Sequence, residues 1–312
     1  MNCQYRPETI FATLLADCES RIGQKGDATV IAHLINVLIP ATLIAMMLRI
    51  GLDVAIAEVI ATAGNLRLVT WGLLANYVCV PALTVALLLA LHVKPIVSVA
   101  FLILAVCPGA PFAPPLTSMA KGNVGVSVGL MVILAGSSAI LAPLLLRILL
   151  RFMSGGDSLH VDALKMVKTL LVGQLLPLSA GLAVRLLRPN LADRLKKPCD
   201  ILNSALMLVT FVLVLVTYYR VLLGVRLIAF AAMLVLSLAS LAVGWVSGGR
   251  DSGTRKAVAL TTSFRNAGVG MVIAAGSFAG TPVLSAVVAY TLVSTIGTVV
   301  PAVWWGKHVS PK

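Results

Sequence analysis

Four long stretches of this chain contain no Asp, Glu, Lys or Arg at all: residues 68–93, 95–120, 122–146 and 227–249. A helix needs about 20 mainly apolar residues to cross the hydrocarbon of a bilayer, so each stretch is long enough to span it. Composition agrees: 59% of the 312 residues are hydrophobic and only 11% are charged, where a soluble domain carries roughly 25% charged residues. The chain therefore reads as an all-α, polytopic membrane protein without a separate soluble domain. Nine spans are expected, at about 29–48, 68–91, 96–119, 123–148, 163–186, 200–219, 227–247, 256–279 and 282–305. The fifth is charge-free only over 169–184, and Lys165 and Lys168 would snorkel to the interface along their stems. Short connections predict antiparallel neighbours. The expected organisation is a tail at 1–28, a first membrane half at 29–150, a second at 151–306 and a C-terminal tail at 307–312.

A net charge of +13 would point to nucleic acid in a soluble protein. Here the basic residues lie between the spans, where lipid headgroups and the positive-inside bias account for them, so no nucleic-acid partner is expected. Nine spans put the termini on opposite sides. Thirteen Lys and Arg fall on the side of the C-terminus and ten on the other, including three in the N-terminal tail. That bias predicts a cytoplasmic C-terminus. Charges interrupt every apolar run in the first 27 residues, which leaves no signal-peptide core and at most a short surface helix at 8–18. Cys3, Cys18, Cys79, Cys107 and Cys199 show no CxxC spacing and read as small hydrophobes, not as a metal site or disulfide framework. No cofactor is expected.

Two spans depart from a plain lipid-facing helix. The third holds Cys107-Pro108-Gly109-Ala110-Pro111-Phe112-Ala113-Pro114-Pro115. Each internal proline removes a backbone donor and clashes with the preceding turn, so residues 108–115 are expected to be unwound. Non-helical backbone at membrane depth persists only when buried in protein or lining a wet cavity. The eighth span holds Thr261-Thr262-Ser263-Phe264-Arg265-Asn266, with Arg265 near its middle. A charge at the bilayer centre costs roughly 2.5–3.5 kcal/mol on insertion scales and marks function by default. No carboxylate lies within a span interior, since Asp53 and Glu58 fall in the loop after the first span. Carbonyls of an unwound segment, or an anionic ligand, are the expected partners of Arg265. Broken spans in corresponding places of two halves are the mark of an inverted-repeat transporter, whose half-helix ends meet at the midplane around substrate and coupling ion. Gln174 and Asn203 are expected to hold helices together.

The stretches CPGAPFAPPLTSMAKGNVGVSV and LAGSSAILAPLLL resemble the fourth and fifth helices of the bile acid:sodium symporter family. TTSFRNAGVGMVIAAGSF resembles that family's broken ninth helix, GLLANYVCVPALTVALLL its third, and MMLRIGLDV the end of its second. The resemblance covers about residues 30–306. It implies a panel and a core, with the two broken helices crossing in the core, and one span fewer than in ten-span members. The family's sodium ligands map poorly. A Ser-Asn pair becomes Ala113 and Pro114, and a threonine becomes Met131, while a serine is kept as Ser127. The shared glutamate becomes Thr261, a glutamine becomes Arg265, and another glutamine becomes Asn76. Sodium wants oxygen ligands, and a guanidinium in the second cation position would repel it in a low dielectric.

The resemblance and the residues together imply a secondary transporter of a small organic anion in a bacterial inner membrane, with sodium doubtful as a partner. Arg265 either replaces the second cation and donates to crossing-point carbonyls, or faces the cavity and binds a carboxylate or sulfonate with its fork. Cys107, Pro108, Gly109, Pro114, Thr262, Ser263, Arg265 and Asn266 are the expected crossing region, with Asn76, Ser127 and Thr261 as residual cation-site positions. Thr and Ser within helices also commonly bond back to the preceding turn. The rivals are a channel lined by broken helices and a metalloid exporter using Cys107, as the related arsenite efflux proteins use a cysteine in this region. An intramembrane enzyme fits least, because His33, His92, His160 and His308 are scattered and no acid–base pair is evident.

Overall fold

The computed structural model of this chain describes residues 31, 33–91, 95–153, 162–223, 227–278 and 281–308. Backbone polar groups in hydrocarbon must be satisfied within the segment, and the described residues meet this with helices and no strand. In chain order these are α1 (His33–Asp53), α2 (Ile56–Gly64), α3 (Leu66–Leu91), α4 (Pro95–Ala105), α5 (Ala113–Met119) and α6 (Val124–Met153). They continue with α7 (Ala163–Leu187), α8 (Pro189–Leu223), α9 (Leu227–Ser247), α10 (Ser252–Ser263), α11 (Ala267–Ser277) and α12 (Val283–His308). Eight segments are long and apolar enough to cross a membrane, counting α10–α11 as one. The α4–α5 pair, divided by its break, lies where the sequence places the third expected span. The segment expected at 8–18, Cys3 and Cys18 lie outside the described residues.

The boundaries carry three corrections. Asp53 ends α1 and Glu58 stands in the first turn of α2, so neither lies in an open loop. Asp53 accepts an ion pair from Lys196 at 2.7 Å. The first break runs over residues 106–112, not 108–115, because Pro114 and Pro115 belong to the opening turn of α5. The first amides of a helix have no intrahelical acceptor, so prolines there remove nothing. Helix α12 continues to His308, into the segment read as a tail.

Two helices absorb a proline differently. α3 widens into a π turn at Ala75–Cys79 and α7 at Leu171–Leu175, each ending two residues before a proline, Pro81 and Pro177. Proline forbids the ordinary bond to the preceding turn, and a single wide turn is the usual accommodation, common at functional sites. The wide turns carry Asn76 and Gln174, both fully buried. Gln174 donates through Nε2 to the Ala135 carbonyl and to Ser138 Oγ at 2.9 Å, which joins α7 to α6. Asn203 is also buried, but its Oδ1 has no partner among the described residues.

α1, α7 and α8 touch one another and are here termed the panel, and α3–α6 with α9–α12 the core; α7 also packs on α6, α8 on α12 and α2 on α6. Within the panel, Thr42 and Thr210 share a hydroxyl bond of 2.8 Å and Arg49 pairs with Asp200. α1 and α7 meet at glycines: a Cβ on Gly181 would lie 2.8 Å from the Gly51 Cα. Small residues let transmembrane backbones approach this closely, and that packing drives their association. Gly181→Val should therefore force α1 and α7 apart, at a cost of about 1–3 kcal/mol from overpacking. Thermal unfolding in detergent would check it, and an unshifted midpoint would show that the contact is dispensable. α8 has 17% of its membrane window buried and faces lipid, whereas α10–α11 has 94% buried. The broken helix is the axis of the core.

Candidate functional site

The crossing point forms where two segments lose helical hydrogen bonding at the same depth. In the first break Pro108 and Pro111 lack amide donors, and Gly109 adopts φ 82°, a conformation glycine takes without steric cost. In the second, α10 stops at Ser263 and α11 restarts at Ala267. Freed backbone groups at membrane depth need partners, and the breaks supply them to each other. The Asn266 amide donates to the Cys107 carbonyl at 2.8 Å. Asn266 Nδ2 donates to the Gly109 carbonyl at 3.4 Å, while its Oδ1 accepts the Val269 amide at 3.2 Å and caps α11. Phe112 and Phe264, one from each break, have ring centroids 6.0 Å apart. α4 packs on α11 and α5 on α10, so the two broken helices cross antiparallel.

Arg265 leaves this crossing toward α3 and α4. It is 2% exposed. Its Nη1 donates to Asn76 Oδ1 at 3.1 Å and approaches the Ala105 carbonyl at 3.5 Å, at the end of α4. Asn76 is held in turn, its Nδ2 donating to the Gly72 carbonyl at 2.9 Å and to Thr262 Oγ1 at 3.1 Å. One guanidinium thus ties the second break to α3 and to the mouth of the first break. Its Nε and Nη2 have no hydrogen-bond partner among the described residues.

A second polar cluster lies beside it and carries no charge. Thr261 Oγ1 and Ser127 Oγ are 3.0 Å apart, and Thr117 Oγ1 donates to Ser127 Oγ at 3.1 Å. These are hydroxyls of α10, α6 and α5, closed on one another. Ser263 turns the opposite way, donating to the Ser237 carbonyl at 2.9 Å and lying 2.9 Å from Thr298 Oγ1.

Of the residues singled out by sequence, the structure brings together Cys107, Gly109, Thr262, Arg265, Asn266 and Asn76, with Ser127 and Thr261 adjacent. Pro108 lies in the break itself. Pro114 contributes the first turn of α5 and not unwound backbone, and Ser263 joins α9 and α12 instead of the crossing bonds. Cys107 serves through its carbonyl. No group of three or more metal-ligating side chains occurs among the described residues.

Two participants escaped the sequence reading. Thr117 joins the hydroxyl chain from α5, just beyond the prolines of the first break. Lys256, 4% exposed, donates through Nζ to the Ala120 carbonyl at 2.8 Å. That carbonyl closes α5, so the ammonium satisfies a helix C-terminus, where cations are favoured. Just ahead of it, Asp251 caps α10 by accepting the Thr254 amide at 2.7 Å. The hydroxyl and amide of Thr254 hold its carboxyl below the usual carboxylate range.

The crossing faces the panel. Ala267 is partly exposed, and a Cβ on Gly268 would lie 3.0 Å from Met46 Cε and 3.5 Å from Leu43 Cδ1, both on α1. The α11 N-terminus, capped by Asn266, presents the positive end of its dipole at the panel–core boundary.

The model of the sodium bile acid symporter family matches residues 40–225. The chain is also similar to a Bacillus subtilis (strain 168) protein named "Uncharacterized sodium-dependent transporter YocS", 25% identical over 252 residues, which cover 77% of this chain and 74% of that protein.

Proposed function

Because this chain belongs to the sodium bile acid symporter family and is a membrane transporter of that type, we propose that it carries a small organic anion by alternating access without sodium. The observation that supports this reading is the bonding of Arg265 to Asn76 Oδ1 and the Ala105 carbonyl. The guanidinium holds its charge at all physiological pH, so a permanent cation stands where the resemblance puts the second sodium ion. The Thr117–Ser127–Thr261 hydroxyls take the other position, and hydroxyls bonded to one another need no ion between them. The crossing point is therefore braced without a solute cation. Substrate would lie where the α11 N-terminus meets the panel, and a helix N-terminus favours an anionic group.

The two membrane halves, 29–150 and 151–306, are read as inverted repeats, each giving one broken helix to the crossing. The Lys and Arg bias supports a cytoplasmic C-terminus, and the membrane is read as a bacterial inner membrane. A channel is the alternative to a carrier, and saturable flux accelerated by substrate on the far side would decide for the carrier.

The Bacillus relative's name makes sodium coupling the competing account. Thermal unfolding of the detergent-purified protein in sodium, potassium and choline gluconate tests it without knowledge of the substrate. An ion bound at 100 times its dissociation constant stabilises by about 2.7 kcal/mol. The three salts should give the same midpoint. A rise specific to sodium would overturn the proposal.

A further inference from the structure

We propose that the core of this protein holds a small inorganic anion, chloride in ordinary solution, on the free edge of Arg265. The inference rests on reading Arg265 as a fixed internal cation, and it concerns what balances that cation.

A guanidinium presents five N–H donors in a rigid plane. At Arg265 the Nη1 side is spent on Asn76 and the Ala105 carbonyl. Nε and Nη2 are without hydrogen-bond partners among the described residues, and their N–H bonds point the same way along one edge of the fork. That edge is closed off from bulk water, since Arg265 is 2% exposed and Asn76, Ala105, Cys107 and Tyr290 around it are all buried.

The charge is as uncompensated as the donors. The ion pairs among the described residues, Arg49–Asp200, Arg185–Asp193 and the contacts of Lys196 with Asp53 and Asp193, all lie on the panel helices. The ionisable groups that sense Arg265 are Tyr77, Cys107 and Tyr290, which in their ordinary state are neutral at pH 7. An isolated buried charge carries a desolvation cost of several kcal/mol that dipoles alone do not offset. Water would satisfy the two N–H groups and leave the charge. An anion answers both requirements.

The buried surroundings narrow the class of anion. A carboxylate matches the edge in shape but brings a carbon skeleton, and the walls here are packed side chains of α3, α4 and α12. A monatomic anion seated between the two parallel N–H bonds needs no room for a tail. The transported anion would then bind at the α11 N-terminus, separate from this ion.

The test uses the full-length protein in detergent, unfolded thermally in choline chloride, bromide, nitrate and gluconate at one ionic strength. Chloride and bromide should raise the midpoint saturably over gluconate, by several degrees at about 100-fold excess over the dissociation constant. The rise should vanish in Arg265→Gln. Equal midpoints in all four salts would overturn the proposal. So would a larger rise with choline formate or acetate than with the halides, which would give the edge to carboxylates. Crystals of the unsubstituted protein grown in bromide provide a reading that does not depend on a variant folding. An anomalous peak bridging Nε and Nη2 is expected, and its absence would again overturn the site. Choline is the only cation throughout, so this result is independent of the sodium series, which is run in gluconate.

Discussion

Gly109→Ala should leave little folded, transport-competent protein, although it adds a single methyl group. Gly109 holds φ 82°, and a non-glycine residue in that region costs roughly 1–2 kcal/mol. The second cost is steric. A Cβ there would lie 2.5 Å from the Ala135 nitrogen, 2.8 Å from its Cα and 2.9 Å from the Met131 carbonyl oxygen. These are backbone atoms of α6 and have no rotamer in which to retreat. Overpacking of this kind adds about 1–3 kcal/mol, and net stabilities are only about 5–15 kcal/mol. The methyl would also push the first break away from α6, lengthening the Asn266 bonds to the Cys107 and Gly109 carbonyls that make the crossing. Gly249 supplies the control. It has φ 78° and nothing within 4 Å of its would-be Cβ, so Gly249→Ala should show the conformational cost alone. Size-exclusion profiles and unfolding midpoints of the two variants decide the matter. If they are equally mild, the contact with α6 is soft and the crossing tolerates displacement.

The contrast between those glycines shows what a sequence can and cannot disclose here. The spans were legible because charge cannot enter hydrocarbon cheaply, and α9 matches its expected bounds of 227 and 247. The first break was legible because proline chemistry is local. Arg265 stood out because a lone charge in an apolar run needs a reason. What stayed hidden depends on partners far along the chain. Lys256 looks like an interfacial lysine until α5 brings its last carbonyl to it from 136 residues away. Thr117 acquires its role only when α6 and α10 place Ser127 and Thr261 beside it. The displaced break at 106–112 also follows from context, since Pro114 and Pro115 are harmless at the start of a helix and damaging within one. The π turns of α3 and α7 sit just ahead of prolines that the sequence displays, but their effect on Asn76 and Gln174 appears only with the neighbouring helices in place.

The largest change in function is expected from exchanging two residues at once. Thr261→Glu combined with Arg265→Gln should make the protein's stability depend on sodium, while neither single change should do so. The reason is the net charge of the buried pair. In gluconate, where no halide balances Arg265, it is +1 with Thr261 and Arg265, and a further cation is repelled. Thr261→Glu alone gives a carboxylate within reach of the guanidinium across the break, which neutralises the pair and leaves nothing for sodium to balance. Arg265→Gln alone also gives zero, with carbonyl and hydroxyl oxygens but no anion. Only the double variant has a net charge of −1 in a site that holds Ser127, Thr117 and Asn76 as oxygen donors. A buried carboxylate left unpaired is costly, so its folded state should depend on the ion. At saturating sodium the stabilisation over choline should reach about 2–3 kcal/mol, read as a coupling energy between positions 261 and 265 in a double-mutant cycle. Sodium dependence in the Arg265→Gln single variant would show that the guanidinium alone keeps sodium out and that Thr261 is an adequate ligand. No sodium dependence in the double variant would assign the decisive loss to Ala113, Pro114 and Met131, whose side chains cannot complete the shell.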